Sequence, residues 1–157
     1  MVKAKEWLSF WLFGFTYSFT LILIVFDFVY LKIIVFPLFL EFIFMGLLMG
    51  AVILRLIIQK QLGKFFSVNI KIHRKHQLIQ TGIYKYLRHP MYAGNILIFI
   101  GLAGVFSSIL GIFATVILVF SATLYRINRE EYFLLNKFGK QYKKYQEKTK
   151  KLIPWMF

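Results

Sequence analysis

Apolar and polar segments alternate along the chain in a simple order. Two long apolar runs come first, then a polar stretch, then two further apolar runs and a polar tail. The first run extends from about Trp7 to Val29 and the second from about Leu38 to Ile58. Each has the roughly 20 residues that a helix needs to cross a bilayer. Asp27, Lys32 and Pro37 mark the exit of the first run and a short connection, while Glu41 and Arg55 stand near opposite ends of the second. Gly46 and Gly50 form a small-xxx-small pair, which predicts close helix approach. After the polar stretch 59–89, a third apolar run starts at Pro90 and a fourth ends near Arg126, joined by a tight turn at Ser107-Ser108. Both are slightly short, which suits little tilt or thinned lipid. The pattern predicts an all-α, integral membrane helical bundle of about four transmembrane helices plus a C-terminal interfacial helix. Residues 1–157 read as a single domain, with two N-terminal spans over 1–58 and a second part over 59–157.

Composition supports a lipid environment. The chain is 59% hydrophobic and 20% aromatic, with a mean hydropathy of +0.68. That exceeds the roughly half-apolar content of soluble domains. A leader peptide is the alternative for the first run, given Lys3 and Lys5 before it. The run is too long for one and lacks a small-residue cleavage site, so it is expected to be retained as a helix. Cysteine is absent, which excludes disulfides, a thiolate nucleophile and thiolate-bound metal.

The net charge of +14 is distributed unevenly. Residues 59–89 carry Lys60, Lys64, Lys71, Arg74, Lys75, Lys85 and Arg88, and the tail after Arg126 carries Arg129 and seven lysines. The connection after the first run has only Lys32, and the Ser107 turn has no cation. Four spans with both termini inside satisfy the positive-inside rule, so the termini and the site are expected on the cytoplasmic side. Membrane lipids account for the charge more simply than nucleic acid does. In the tail, Glu130 and Glu131 precede the lysines, which favours a helix starting near there. Phe138, Tyr142 and Tyr145 give that helix one aromatic face, and Gly139 weakens its middle. Lys140, Lys143, Lys144 and Lys148 can reach anionic headgroups, each contributing about 1 kcal/mol.

The densest chemistry lies in Gly82–Gly94, where Tyr84, Tyr86, Arg88, His89 and Tyr92 precede an apolar run. Ionisable groups at a membrane boundary need partners or a task. Pro90 suits a first helical turn, leaving the next amides unpaired. With Arg88 and His89 these amides can hold an anion. The plainer alternative has Arg88 and His89 snorkelling to the interface and the tyrosines forming an aromatic belt. Arg126 and Glu130, one turn apart, either pair with each other or hold ligand groups of opposite charge. His73, His76 and His89 lack cysteine or carboxylate companions between Gln59 and His89, so no metal is expected.

Two separated motifs carry a resemblance. His76-Gln77-Leu78-Ile79, Gly82-x-Tyr84 and Arg88-His89-Pro90-x-Tyr92-x-Gly94 form the first. Arg126-x3-Glu130-Glu131-x2-Leu134-x3-Phe138-Gly139-x2-Tyr142-x2-Tyr145, ending in Ile153-Pro154, forms the second. Together they resemble the isoprenylcysteine carboxyl methyltransferase family over roughly residues 60–154. The resemblance implies a membrane-embedded methyltransferase using S-adenosylmethionine, with residues 59–157 as its cofactor-binding catalytic part. It implies cofactor contacts from Asn69, His76, Gln77, Leu78, Ile79, Tyr84, His89, Pro90, Met91, Tyr92 and Glu130. Arg126 would be the catalytic residue, neutralising the carboxylate of a lipophilic or lipidated acceptor. Lys150 and Lys151 stand where many members have an arginine, and a lysine lacks its bidentate geometry. The implied reaction is O-methylation of an isoprenylcysteine-type carboxylate, which is already ionised at pH 7 and needs no base. Two other expectations are weighed against it: a methyltransferase acting on a small thiol or lipid amine, with His89 or Tyr92 as base, and a non-catalytic membrane bundle.

Overall fold

The computed structural model describes residues 2–63 and 78–152, with side chains from residue 7 onward. Helix α1 (Val2–Phe26) runs on into a π-helical turn, Asp27–Leu31, and stops at Lys32, whose φ is +45°. Pro37 then fixes the start of α2 (Leu38–Leu62). A 3-10 turn at Gly82–Lys85 leads into α3 (Pro90–Val105), with Pro90 in the first helical turn as expected. Ser107, at φ +49°, makes the tight turn. Helix α4 (Ile109–Phe138) contains a π-helical stretch at Thr115–Val119. A short helix α5 (Lys140–Lys148) follows.

Three of these helices (α1, α2 and α4) are long and apolar enough to cross a membrane. At 16 residues α3 is shorter, covering about 24 Å at 1.5 Å per residue. It nevertheless connects the same two ends as its neighbours. Its first turn meets α1 at Phe13, and the turn after it meets the far end of α1 at Asp27. The expectation of an all-α membrane bundle therefore holds. Only 11% of the apolar window of α2 is buried, and Phe39, Phe42, Ile43, Met49, Ile53, Leu56 and Ile57 all point outward. So much apolar surface is stable only against lipid.

The second hairpin departs from expectation. Its final helix does not end near Arg126, and no new helix starts at Asn128. One unbroken α4 carries Arg126, Glu130 and Glu131 on to Phe138. Nothing in that stretch breaks a helix, so the change from apolar to charged residues leaves the backbone uninterrupted. The break comes at Gly139, whose φ of +51° lies in the region that glycine tolerates best. Gly139 therefore separates two helices instead of weakening the middle of one, and the proposed aromatic face is divided between them. Tyr142 and Tyr145 are buried.

Close packing of α2 also differs from expectation. A methyl group added at Gly46 or Gly50 would meet nothing within 4 Å. The approach is made instead by α3: a Cβ on Gly101 would lie 2.9 Å from the backbone of Leu48, and one on Gly104 would overlap the ring of Phe44. Gly101→Ala is accordingly expected to destabilise the bundle by about 1–3 kcal/mol, as overpacking does, whereas Gly46→Ala stays within about 0.5 kcal/mol. Thermal unfolding in detergent checks both, and equal shifts would contradict this packing.

The centre of the bundle is the cluster Ile24, Phe99, Ala103 and Val119, with Tyr17, Ile96, Leu102 and Ile112 against it. A polar knot closes the far end. Buried Asp27 accepts from the Ser108 hydroxyl (2.9 Å) and from the Leu110 amide (3.1 Å), while Ser108 caps α4 by accepting from the Gly111 amide (3.0 Å). Ser107 donates to Glu41 (2.8 Å). A half-open cavity of about 190 Å³ adjoins this knot, at the opposite end of the bundle from the start of α3.

Candidate active site

The chemistry predicted from the sequence converges where α3 begins. The Tyr92 hydroxyl accepts from Arg126 Nε (2.9 Å) and donates to Glu130 Oε2 (3.0 Å). One phenol thus links a cation and an anion that sit a turn apart on α4. This geometry replaces the choice between a direct Arg126–Glu130 pair and two independent ligand groups. His89 lies beside them, with Nδ1 3.9 Å from Glu130 Oε2.

α1 forms a roof that the sequence did not suggest. The Arg126 guanidinium lies over the Phe13 ring at 5.0 Å, and Phe13 meets Tyr92 edge-on at 5.8 Å. Arg126 is consequently only 5% exposed. A cation over an aromatic face in a dehydrated setting contributes up to about 2 kcal/mol, enough to help hold the charge within the bundle.

The two adjacent glutamates divide the work. Glu131 accepts from Arg88 Nε (2.7 Å), lies 3.3 Å from His89 Nε2 and has Lys151 Nζ at 3.7 Å. Its side chain is 11% exposed, against 33% for Glu130. Glu131 is enclosed by cations, and Glu130 keeps a face open to a ligand.

Arg88 neither snorkels nor joins an anion site. Its Nη1 donates to the carbonyls of Gln146 (3.1 Å) and Thr149. The backbone follows: the Arg88 amide donates to Lys150 O (2.8 Å), the His89 amide to Lys151 O (3.1 Å), and the Lys150 amide to Tyr86 O (3.0 Å). A short parallel bridge between Leu87 and Lys150 results. The amides of Tyr92 and Ala93, expected to be free for an anion, instead donate to the His89 carbonyl at 3.1 and 3.3 Å. Arg88 and the amides of Tyr92 and Ala93 are therefore engaged within the protein.

Leu78 and Ile79 are half-buried, Tyr84 and Pro90 are buried, and Met91 is half-buried beside Tyr92. Asn69, His76 and Gln77 lie outside the described residues. The Tyr145 hydroxyl donates to the Tyr84 carbonyl at 2.7 Å, pinning the 3-10 turn to α5. Burial, reinforced by the Glu130 charge, pushes the Tyr84 phenol well above its ordinary range. Burial also pushes Tyr145 up to about 12. Both are neutral near pH 7 and unsuited to act as bases.

Lys151 also meets Asn128 Oδ1 at 3.2 Å, so this lysine is drawn back onto α4. Sequence reasoning passed over Phe13, Glu131 and Thr149 as site-builders. The paired glutamates signalled one of them, while nothing local distinguished Phe13 from its lipid-facing neighbours.

Several known proteins are similar to this chain. A protein-S-isoprenylcysteine O-methyltransferase of Schizosaccharomyces pombe is 37% identical over 96 residues, covering 60% of this chain and 41% of the relative. A probable protein-S-isoprenylcysteine O-methyltransferase of Oryza sativa subsp. japonica is 31% identical over 96 residues, covering 60% and 50%. Protein-S-isoprenylcysteine O-methyltransferase B of Arabidopsis thaliana is 28% identical over the same length. The chain spans about half the length, or less, of these relatives. Residues 42–136, more than half of the chain and including Arg88, His89, Tyr92, Arg126, Glu130 and Glu131, match the isoprenylcysteine carboxyl methyltransferase (ICMT) family, to which this protein belongs.

Proposed function

We propose that this protein is a membrane methyltransferase that moves a methyl group from S-adenosylmethionine to the carboxylate of a lipophilic acceptor of the isoprenylcysteine type. The carrying observation is the Arg126–Tyr92–Glu130 linkage, built from the two motifs and set at one end of a lipid-facing bundle. Family membership and the printed activities of the relatives support the same reading. The basic segment before α3 and the basic tail pair with each other at this end, so a single cytoplasmic face accounts for both by the positive-inside rule.

The residues suit the proposed donor. S-adenosylmethionine carries an ammonium, a sulfonium and a carboxylate. Of the two glutamates here, Glu130 is the accessible one and suits the ammonium. The Tyr92 hydroxyl offers a neutral polar contact, and Leu78, Ile79 and Tyr84 offer an apolar wall for the adenosine. Asn69, His76 and Gln77 are proposed to complete that pocket. When bound, the cofactor supplies an electrophilic methyl group on sulfur. The protein's part is alignment, and positioning alone can supply about 7–11 kcal/mol. Arg126 holds Tyr92 in place and faces the acceptor carboxylate as the methyl group is transferred. An ionised carboxylate needs no base, which fits an end of the bundle where His89 is occupied by Glu131.

Isothermal calorimetry on detergent-solubilised protein tests the reading. The wild type is expected to bind S-adenosylmethionine, and Glu130→Ala to bind at least about tenfold more weakly, the loss of one charged hydrogen-bond partner being worth about 1.5–3 kcal/mol. No heat from folded wild type would reject the proposal.

A further inference from the structure

Arg55 has no place in the site described so far. It sits on α2, seven residues before the helix ends at Leu62, about 10 Å along the axis. The helix around it faces lipid. Its Nε donates to Asn95 Oδ1 on α3 at 2.8 Å. Among the described residues no carboxylate lies within ion-pair distance of it. The side chain is half-buried. A half-buried cation on a lipid-facing helix is costly without a counter-ion, and such residues often mark a site.

Its surroundings are arranged around it. The stem packs beside α3 at Gly94, where an added Cβ would lie in ordinary contact with Arg55 Cβ at 3.8 Å. Asn95 fixes the guanidinium by the Nε edge. Asn95 is one turn beyond Tyr92 on α3, and Thr123 is one turn before Arg126 on α4. The Tyr17 ring packs between that of Phe13 (4.2 Å), which also covers Arg126, and that of Phe99 on α3 (4.7 Å), with its hydroxyl buried in the same region. A polar line therefore runs from the accessible Glu130, through Tyr92 and Arg126, into the bundle toward the α2–α3 seam. Arg126 is enclosed under Phe13. Arg55 stands at the lipid side of the same line.

The geometry points to Arg55, positioned by Asn95, as the anchor for the anionic group of a membrane-borne ligand lying against the lipid-facing edge of the α2–α3 seam. A carboxylate or a phosphate on a lipid tail has the required chemistry. On the function proposed above, that group is the carboxylate of the acceptor, and only this identification rests on that reading. The anchored carboxylate would be delivered from the lipid side, while the methyl donor occupies the Glu130 side. Arg55 thus selects the acceptor by charge, a role separate from that of Arg126.

Equilibrium binding of a radiolabelled prenylated N-acetylcysteine and of its methyl ester to purified protein tests this without any turnover. The wild type is expected to prefer the carboxylate over the ester by at least about tenfold, and Arg55→Gln to bind the two within about twofold. Asn95→Asp gives Arg55 an internal counter-ion without emptying its space and is expected to abolish the same preference, which covers the case of a misfolded Arg55→Gln. Affinity for S-adenosylmethionine, measured on the same samples, is expected to change less than twofold. A preference that survives both substitutions overturns the proposal. Absence of any preference in the wild type, with phosphatidylglycerol displacing both ligands equally, assigns the anchor to bulk lipid phosphate and overturns the acceptor role. Failure of S-adenosylmethionine to bind the wild type would reject the proposed function and leave the charge preference to be read independently.

Discussion

Glu131→Ala is expected to detach the segment around Thr149 from the bundle. The Glu131 carboxylate lies against Arg88, His89 and Lys151, and both it and Arg88 are about nine-tenths enclosed. Removing one partner of a buried pair leaves the other charge uncompensated, at a cost of about 3–5 kcal/mol. That corresponds to at least a hundredfold rise in the local opening constant. Trypsin should then cut after Lys148, Lys150 or Lys151 correspondingly faster, with the transmembrane part still folded. The double substitution Arg88→Met with Glu131→Leu is expected to recover only part of the loss. It removes the charge problem, but the carbonyls of Gln146 and Thr149 lose the Arg88 donor. Unchanged proteolysis of Glu131→Ala would show that the clasp does not hold this segment.

Tyr92→Phe is the second substitution with a large expected effect. The ring would keep its contacts with Phe13 and His89, so the fold should persist and the unfolding temperature should move little. Only the hydroxyl between Arg126 and Glu130 disappears. Each hydrogen bond to a charged group is worth about 1.5–3 kcal/mol. Methyl transfer is therefore expected to fall by about one to two orders of magnitude, with weaker binding of the methyl donor contributing. Turnover of a labelled donor on a prenylcysteine acceptor measures it. Wild-type turnover in Tyr92→Phe would remove the phenol from the site and leave Arg126 and Glu130 as a simple pair.

The architecture was largely legible because lipid demands long uninterrupted apolar runs, and Trp7–Leu31 and Leu38–Leu62 supply them. The candidate site's geometry was legible where one element carries it: His89, Pro90 and Tyr92 open α3, and Arg126 and Glu130 share a face of α4. Contacts between distant segments were not. Arg88 meets Thr149 across 61 residues, and no local pattern announces that a loop arginine will turn inward to a tail carbonyl. The hydropathy change near Arg126 marked the membrane boundary, which is a property of the solvent and not of the backbone, so α4 continued through it. Gly46 and Gly50 misled for a similar reason. Small residues permit approach from any direction, and it was the glycines of α3 that α2 met.

The π-helical stretch Thr115–Val119 has a consequence for how this sequence can vary. Such a turn fits one more residue than an ordinary helix over the same rise. The capped start of α4 at Ser108 is therefore rotated relative to Arg126 and Glu130 by an amount that a regular helix would not give. Deleting a single residue between Thr115 and Val119 would restore regular winding without adding strain or polarity. It would also leave Arg126 facing Tyr92, whereas the same deletion in the regular turns on either side would swing Arg126 about 100° around the axis. A one-residue deletion should therefore be tolerated within Thr115–Val119 and be inactivating in the regular turns that flank it.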